Sequence, residues 1–523
     1  MPLLSGLELI ARPTTQRVWQ NWHQNFTQPV HEVLDLWNAK PSVSDFTVYR
    51  ETTRGLQSLI GRAAKEGRSL RALGGSWSFS QVAATDGIVL NTRPLNYRFQ
   101  FALQGTVDPQ YRRDASNLFF AQCGNSLAEL NWYLRSLKKA LKTSGASNGQ
   151  SIAGALSTGT HGSAIGVGGV QEYVVGLHLI VGPTRHVWLE RASDPVIAPA
   201  IPQWLGADLV RDDVLFNAAL VSMGSFGIIH GVLFEAEPLY YLQVYRSWRP
   251  LDAALWHAME TLDFTGLKLP RPATQPPFHF EVLINPHDMA GGAFVKVMYK
   301  DAQRPADGQP LPKPGKIAQG DDAFEAMAVI TDLAADVTPL VVNNLMKRLF
   351  TEEKGVCGTH GEIFKDTSTR GKAASSAMGI PLDKVRQATD IGLQLNKDPQ
   401  VGPFPGLFGY RYVKASRATL AFTRHQPATC IFELDGPFSD RTKRFYQKMW
   451  DAMDAAKIPY TFHWGKIHGL DATRVRQMYP DPQNPAASAV EAWCGARREL
   501  FKQSPESSQV FANQWLRGLG MDA

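Results

Sequence analysis

Two stretches of this chain consist almost wholly of residues with little or no side chain: LGGSWSFS at Leu73 to Ser80 and TSGASNGQSIAGALSTGTHGSAIGVGG at Thr143 to Gly169. Glycine lets a backbone approach a ligand closely or take up positive φ, and small neighbours leave main-chain N–H groups exposed. The chemistry such loops offer is the binding of an anion, a dinucleotide's pyrophosphate above all. Neither is the common dinucleotide fingerprint, because no G-x-G-x-x-G follows a strand and opens a helix, and no G-x-x-x-x-G-K-[ST] occurs. A hydrolase using Ser and His from STGTHGS lacks a G-x-S-x-G elbow and an ordered acidic partner. His161, set between Thr160 and Gly162, is either a loop-fixing or phosphate-touching group or a catalytic one, and the structural role is favoured.

Regular elements must deliver these loops. From Thr53 to Glu66 the residues Leu56, Leu59, Ile60, Ala63 and Ala64 share one helical face, with Gly67 as the stop. A short strand from Ser69 to Leu73 then empties into the first loop. A second helix begins at Ser126, where Ser126 and Glu129 have capping-box spacing and Leu127, Leu130, Leu134 and Leu137 form the buried stripe; it leads to the second loop. Strands are predicted at Tyr173 to Val181, Arg185 to Glu190 and Gly227 to Glu235, the first two joined at Gly182-Pro183. Beyond Pro238, strands are predicted at Phe278 to Ile284, Gly409 to Val413, Thr419 to Phe422 and Thr429 to Leu434, and a helix from Arg441 to Ala456. The Pro-, Gly- and charge-rich stretch 302–320 reads as a mobile insertion.

Four motifs occur in one order: RALGGSWSFS, TSGASNGQSIAGALSTGTHGS, LVSMGSFGIIHGVLFEAEP and FHWGKIHG. From about Asp45 to the closing segment VFANQWLRGLG, the whole resembles the vanillyl-alcohol-oxidase flavoproteins, also called PCMH-type, and within them the sugar-1,4-lactone and alditol oxidase branch. The resemblance implies an α+β, two-domain FAD-binding fold of PCMH type, with a substrate (cap) domain built on a mixed or antiparallel sheet covered by helices. It implies an FAD-binding domain over 1–240, a substrate domain over 241–470 and a C-terminal segment, 471–523, that returns to the first domain. The first loop, Gly74, Gly75, Ser76, Trp77, Ser78 and Phe79, would wrap the FAD pyrophosphate. The second would line the flavin and its phosphates through Ser147, Asn148, Gly149, Ser151, Ile152, Gly154, Thr158, Gly159, His161 and Gly162. Gly227 and Ile228 would approach the adenine end through main-chain atoms. Lys466 is carried over as the cation near flavin and substrate oxygen, with His463 its neighbour. The implied activity is oxidation of a hydroxyl-bearing substrate, an alcohol, lactol or aldonolactone, with hydride passing to flavin N5 and electrons returned to O2 as H2O2. A dehydrogenase using another acceptor is the alternative, and a catalytically silent FAD scaffold the third reading.

Two departures alter that picture. Many members carry a histidine in the first loop that bonds covalently to the flavin, where this chain has Trp77; the second loop contains no cysteine for the alternative link. FAD is therefore expected to be noncovalent. The branch also places a glutamate two residues before an arginine, whereas here Gly409 precedes Tyr410-Arg411. Arg411 survives to stabilise a developing alkoxide or the reduced flavin, while Glu433 either replaces the lost acid or faces outward on an alternating strand. Tyr410 and Phe432 read as core aromatics rather than substrate wall.

A chain of 523 residues with 44% apolar and 20% charged content has the length and composition to bury a large cofactor between two domains. The net charge of +6 is spread along the sequence, with only short clusters at Lys138-Lys139 and Arg497-Arg498, which disfavours nucleic acid as a partner. Four dispersed cysteines match neither a zinc site nor a disulfide framework. No run approaches the roughly 20 apolar residues of a membrane span, so a cytoplasmic location is expected.

Overall fold

The computed structural model describes residues 10–38, 45–101, 105–311, 332, 334–364, 372–481, 484 and 487–522. The first helix, Asp45–Lys65, starts earlier than the sequence suggests. Its buried face continues through Val48, Tyr49, Thr52 and Thr53, and the two threonine hydroxyls donate back to the carbonyls of Val48 and Tyr49 at 2.8 and 3.1 Å. Those bonds satisfy side chains that would otherwise compete with the helix. Gly67, at φ +61°, turns the chain into the strand Leu70–Leu73. That strand is the edge of a four-stranded sheet, pairing in parallel with Ile88–Asn91, which pairs with Glu32–Leu36.

A six-stranded sheet forms the rest of the first domain, with Val174–Ile180 and Ile228–Glu235 at its centre and buried along their whole length. The helix Leu127–Ser136 opens on the expected capping box, Ser126 Oγ accepting from the Glu129 amide at 3.1 Å and Glu129 accepting from the Ser126 amide at 2.7 Å. The second glycine-rich stretch is not loop throughout. Ile152–Thr158 forms a short helix, capped by Ser151 and ended by Gly159 at φ +76°. Burial of Ile152, Ala155 and Leu156 in the core holds seven residues that would not stay helical in water.

The second domain is an eight-stranded sheet in the order 353–359, 241–249, 293–301, 279–284, 407–414, 428–437, 373–381 and 461–462, antiparallel at every pairing. Helices Ala253–Thr261, Val385–Lys397 and Asp440–Ala455 cover one face, where Phe280, Phe432, Phe445 and Met449 share a core. Tyr410 and Phe432 lie in that core, stacked at 4.9 Å. The predicted strand Thr419 to Phe422 is instead a loop. Its backbone is taken by partners outside any ladder: Thr419 N donates to Asn217 O, Trp464 Nε1 to Leu420 O and Thr461 Oγ1 to Phe422 O.

Residues 302–311 form turns with one bridge, Gln309 to Val356, and 312–320 of the expected insertion lie outside the described residues. Near the end of the chain, Trp493 Nε1 donates to Val221 O, and Asn513 Nδ2 to the carbonyls of Val82 and Ala84. The architecture is α+β, with a four-stranded and a six-stranded sheet preceding the helix-covered antiparallel sheet. No described helix is long and apolar enough to cross a membrane. All four cysteines are buried and free.

Candidate cofactor and substrate site

Both glycine-rich stretches open on one cleft of about 300 Å³. Its walls take in all of Gly74–Phe79, then Ser147, Ser151, Gly154, Thr158 and His161, then Gly227 and Ile228, and from the second domain Arg411, Glu433, His463 and Lys466. Five expected cofactor residues stay off that wall. Asn148 is buried and its amide donates to Phe364 O; Gly149 lies against the Trp77 ring; Ile152 is core; Gly159 ends the short helix; and Gly162 packs on the Ser144 carbonyl. The physical reason is alternation: in a stretch that turns and then coils into a helix, only part of the residues can face one side.

Close approach explains the glycines of the first loop. A Cβ on Gly74 would collide with Ser151 Oγ, and one on Gly75 would come within 2.7 Å of Gly149 O. Ser76 sits at φ +58°, a strained conformation of the kind stored at ligand sites. Among the described residues, the amides of Gly75, Ser76, Trp77 and Ser78 donate to no protein acceptor. Four neighbouring amides without partners in a cleft wall are an anion-binding arrangement. They fit the pyrophosphate of a dinucleotide.

At the second-domain wall, charge is organised around Arg411. Its Nε lies 3.0 Å from Glu281 and its Nη1 3.2 Å from Glu433 Oε2, while Lys296 Nζ holds the other Glu281 oxygen at 2.8 Å. Burial works against ionisation of Glu281, but Lys296 and Arg411 overcome it and keep that carboxyl well below the usual range. Burial likewise opposes the Arg411 charge, and Glu433 with Glu281 more than offsets it. Glu433 therefore faces inward, 2% exposed, and not to solvent. Lys466 differs: its Nζ lies 4.8 Å over the Phe79 ring, and no ion pair or hydrogen bond of its side chain is present among the described residues. It is a cation available to a ligand.

His161 and His463 line the same cleft. His463 Nδ1 accepts from the Gly465 amide at 2.9 Å, which fixes the turn carrying Lys466 and leaves the proton on Nε2. The Gly162 carbonyl accepts from His161 Nδ1 at 3.0 Å, so His161 Nε2 is an acceptor. Burial pushes His161 down to about 3 and, with His161 and Lys466 nearby, holds His463 well below the imidazole range. Both are neutral near pH 7. His161 thus combines the loop-fixing bond expected of it with a place on the cleft wall.

Sequence reasoning missed Asp435, Glu281 and the N-terminal segment. Asp435 shares the cleft wall and follows Glu433 by two on the strand Ala428–Pro437, so period-two alternation was a signal. Glu281 faces Arg411 across the ladder between 279–284 and 407–414, a pairing no local pattern reveals. Trp19 and His23 also line the cleft, and the aromatic run WQNWHQNF was their trace.

Comparisons with known proteins bear on the fold and the cofactor. Residues 44–189 match the family described as FAD binding domain. The fold and these comparisons make the chain an FAD-binding oxidoreductase with PCMH-type architecture. The chain is 24% identical over 450 residues to L-gulono-1,4-lactone dehydrogenase of Mycobacterium tuberculosis, covering 85% of this chain and 92% of that one. It is 31% identical over 243 residues to D-arabinono-1,4-lactone oxidase of Eremothecium gossypii, 46% of this chain and 38% of the other. Among solved structures it is similar to cholesterol oxidase from B. sterolicum, with a TM-score of 0.71, 14% identity and 97% of both chains covered. The resemblance carried by the four ordered motifs therefore holds.

Proposed function

We propose that this chain oxidises a hydroxyl-bearing substrate, an alcohol, lactol or aldonolactone, using FAD held without a covalent bond. The observation that carries this reading is the meeting of unpartnered loop amides, Lys466 and the Arg411 network in one cleft. FAD, when bound, supplies the acceptor for the hydride that leaves the hydroxyl-bearing carbon. The chain supplies position and charge. Lys466 binds the substrate oxygen as negative charge develops there, and Arg411, fixed from two sides, adds a preorganised cation of the kind worth roughly 2 to 4 kcal/mol. Asp435 accepts the hydroxyl proton: it is the acid on the cleft wall that no ion pair among the described residues consumes. Burial and Glu433 raise its pKa and Lys466 opposes them, which makes it a better base than a free aspartate. Trp77 supports noncovalent binding, because its ring packs against Gly149 and stacks on Trp22 and offers no nucleophile.

Anaerobic bleaching of the flavin across a panel of alcohols, lactones and sterols tests the reading, and failure of every member to bleach it would overturn it. Oxygen as final acceptor follows the oxidase relatives. A relative aligned over 85% of the chain is named a dehydrogenase, which supports a second reading with another acceptor. Peroxide yield under air against dye reduction separates the two.

A further inference from the structure

Between positions 18 and 29, ahead of the family match at 44–189, Val18–Gln20 pairs with Thr27–Pro29 in a small hairpin whose turn lies on the back of the first glycine-rich loop. Three donors of that turn take loop carbonyls: the Trp22 amide reaches Ser76 O at 2.8 Å, Asn21 Nδ2 reaches Ser78 O at 3.0 Å and Asn25 Nδ2 reaches Phe79 O at 3.3 Å. In a trans peptide the carbonyl of one residue and the amide of the next point in opposite directions. Holding Ser76 O therefore turns the Trp77 N–H away from the hairpin, and that amide has no protein partner among the described residues. Holding Ser78 O turns the Phe79 N–H the same way, where it donates to Gly465 O at 2.8 Å, beside Lys466.

Rings extend the contact. Trp22 stacks on Trp77 at 5.5 Å and 14°, and His23 stacks on Phe79 at 4.1 Å and 7°, with Lys466 Nζ near the Phe79 ring. Asn21 and His23 are buried at 2% and 7% exposure, so the turn is packed rather than draped. Burial, with Lys466 nearby, pushes His23 down to about 3, so it stacks as a neutral ring.

We infer that this hairpin is a cofactor clasp, in which Asn21, Trp22 and Asn25 are positioning residues that aim the loop amides at FAD and hold them there. The inference rests on the noncovalent reading of FAD above, since a clasp of this kind substitutes for a bond that Trp77 cannot make.

The test uses the full-length chain stripped of FAD and titrated with it, following flavin fluorescence, while the thermal midpoint of the FAD-free protein reports folding. Trp22→Ala and Asn21→Leu are each expected to raise the FAD Kd by about tenfold or more, and Trp22→Phe to restore it to within about threefold of the parent. A Kd within about threefold of the parent for both Trp22→Ala and Asn21→Leu would overturn the clasp. Should Trp22→Ala fail to fold, Asn21→Leu alone decides. Acid precipitation of the parent protein separates the two levels: yellow colour retained in the pellet would overturn noncovalent binding and the clasp together, whereas unchanged affinity overturns the clasp alone.

Discussion

The carboxylate of Glu433 stands over the backbone of Gly409, its partner across the antiparallel ladder. A Cβ built on Gly409 would lie 3.5 Å from Glu433 Cβ and 3.7 Å from its Oε2, ordinary contact distances. Arg411 thus keeps a carboxylate at 3.2 Å although position 409 carries none, and we propose that Glu433 takes the place of the acid that the family resemblance implies there. Glu433→Ala is expected to slow anaerobic flavin reduction by about tenfold, a loss of roughly 1.4 kcal/mol. Adding Gly409→Glu to that variant should recover most of the rate. A double variant no faster than the single one in stopped-flow reduction would show that the two positions are not equivalent.

Lys466 and Arg411 carry different burdens. Lys466→Ala should leave FAD bound and the fold intact while slowing reduction by about tenfold or more. Arg411→Ala should slow reduction too, but it also strips the counterion from buried Glu433 and leaves Glu281 with Lys296, a change that costs about 3 to 5 kcal/mol. Melting temperature and reduction rate measured side by side check the contrast; equal stability loss in the two variants would contradict it.

Asp435→Asn keeps the size of the side chain and removes the proton acceptor. The expected result is reduction slowed by about 10²-fold or more with a much smaller change in substrate KM. Loss of the acidic limb from the pH profile of reduction should accompany it, with the parent limb lying above the usual aspartate range because burial and Glu433 raise its pKa. An unchanged profile would assign the proton to another group, His161 Nε2 first.

Stability should fall on the acid side. Burial holds His161, His230 and His360 at about 3, against 6.5 for an exposed imidazole. A lowered histidine pKa means that the unfolded chain binds the proton first, so the penalty is absent above about pH 6.5 and grows as pH falls toward about 3. Each such group contributes about 1.4 kcal/mol per pH unit in that window. Thermal midpoints at pH 7.5, 6 and 5 should decline steadily, and a flat series would mean the rings are not buried neutral.

Much of the fold was legible because its elements announce themselves locally. The Ser126–Glu129 capping box, the strand before Gly74 and the helix behind Ser439 all lie where periodicity puts them. Failures came where tertiary packing overrode local pattern. Ile152–Thr158 is helical because the core covers it, and Thr419–Phe422 has strand composition but spends its hydrogen bonds on other partners. For the site, composition marked the anion loops and resemblance marked Lys466 and Arg411. Glu281 and the hairpin donors were invisible, since each acts through a contact distant in sequence.

The amide of Phe79 and the carbonyl of Gly465 are joined across the domain seam, and Ser80 Oγ adds a second stitch to Trp464 O at 2.5 Å. On the function proposed above, the loop that grips the nucleotide and the turn that carries the substrate-facing Lys466 are therefore anchored to each other, and neither is set in place independently.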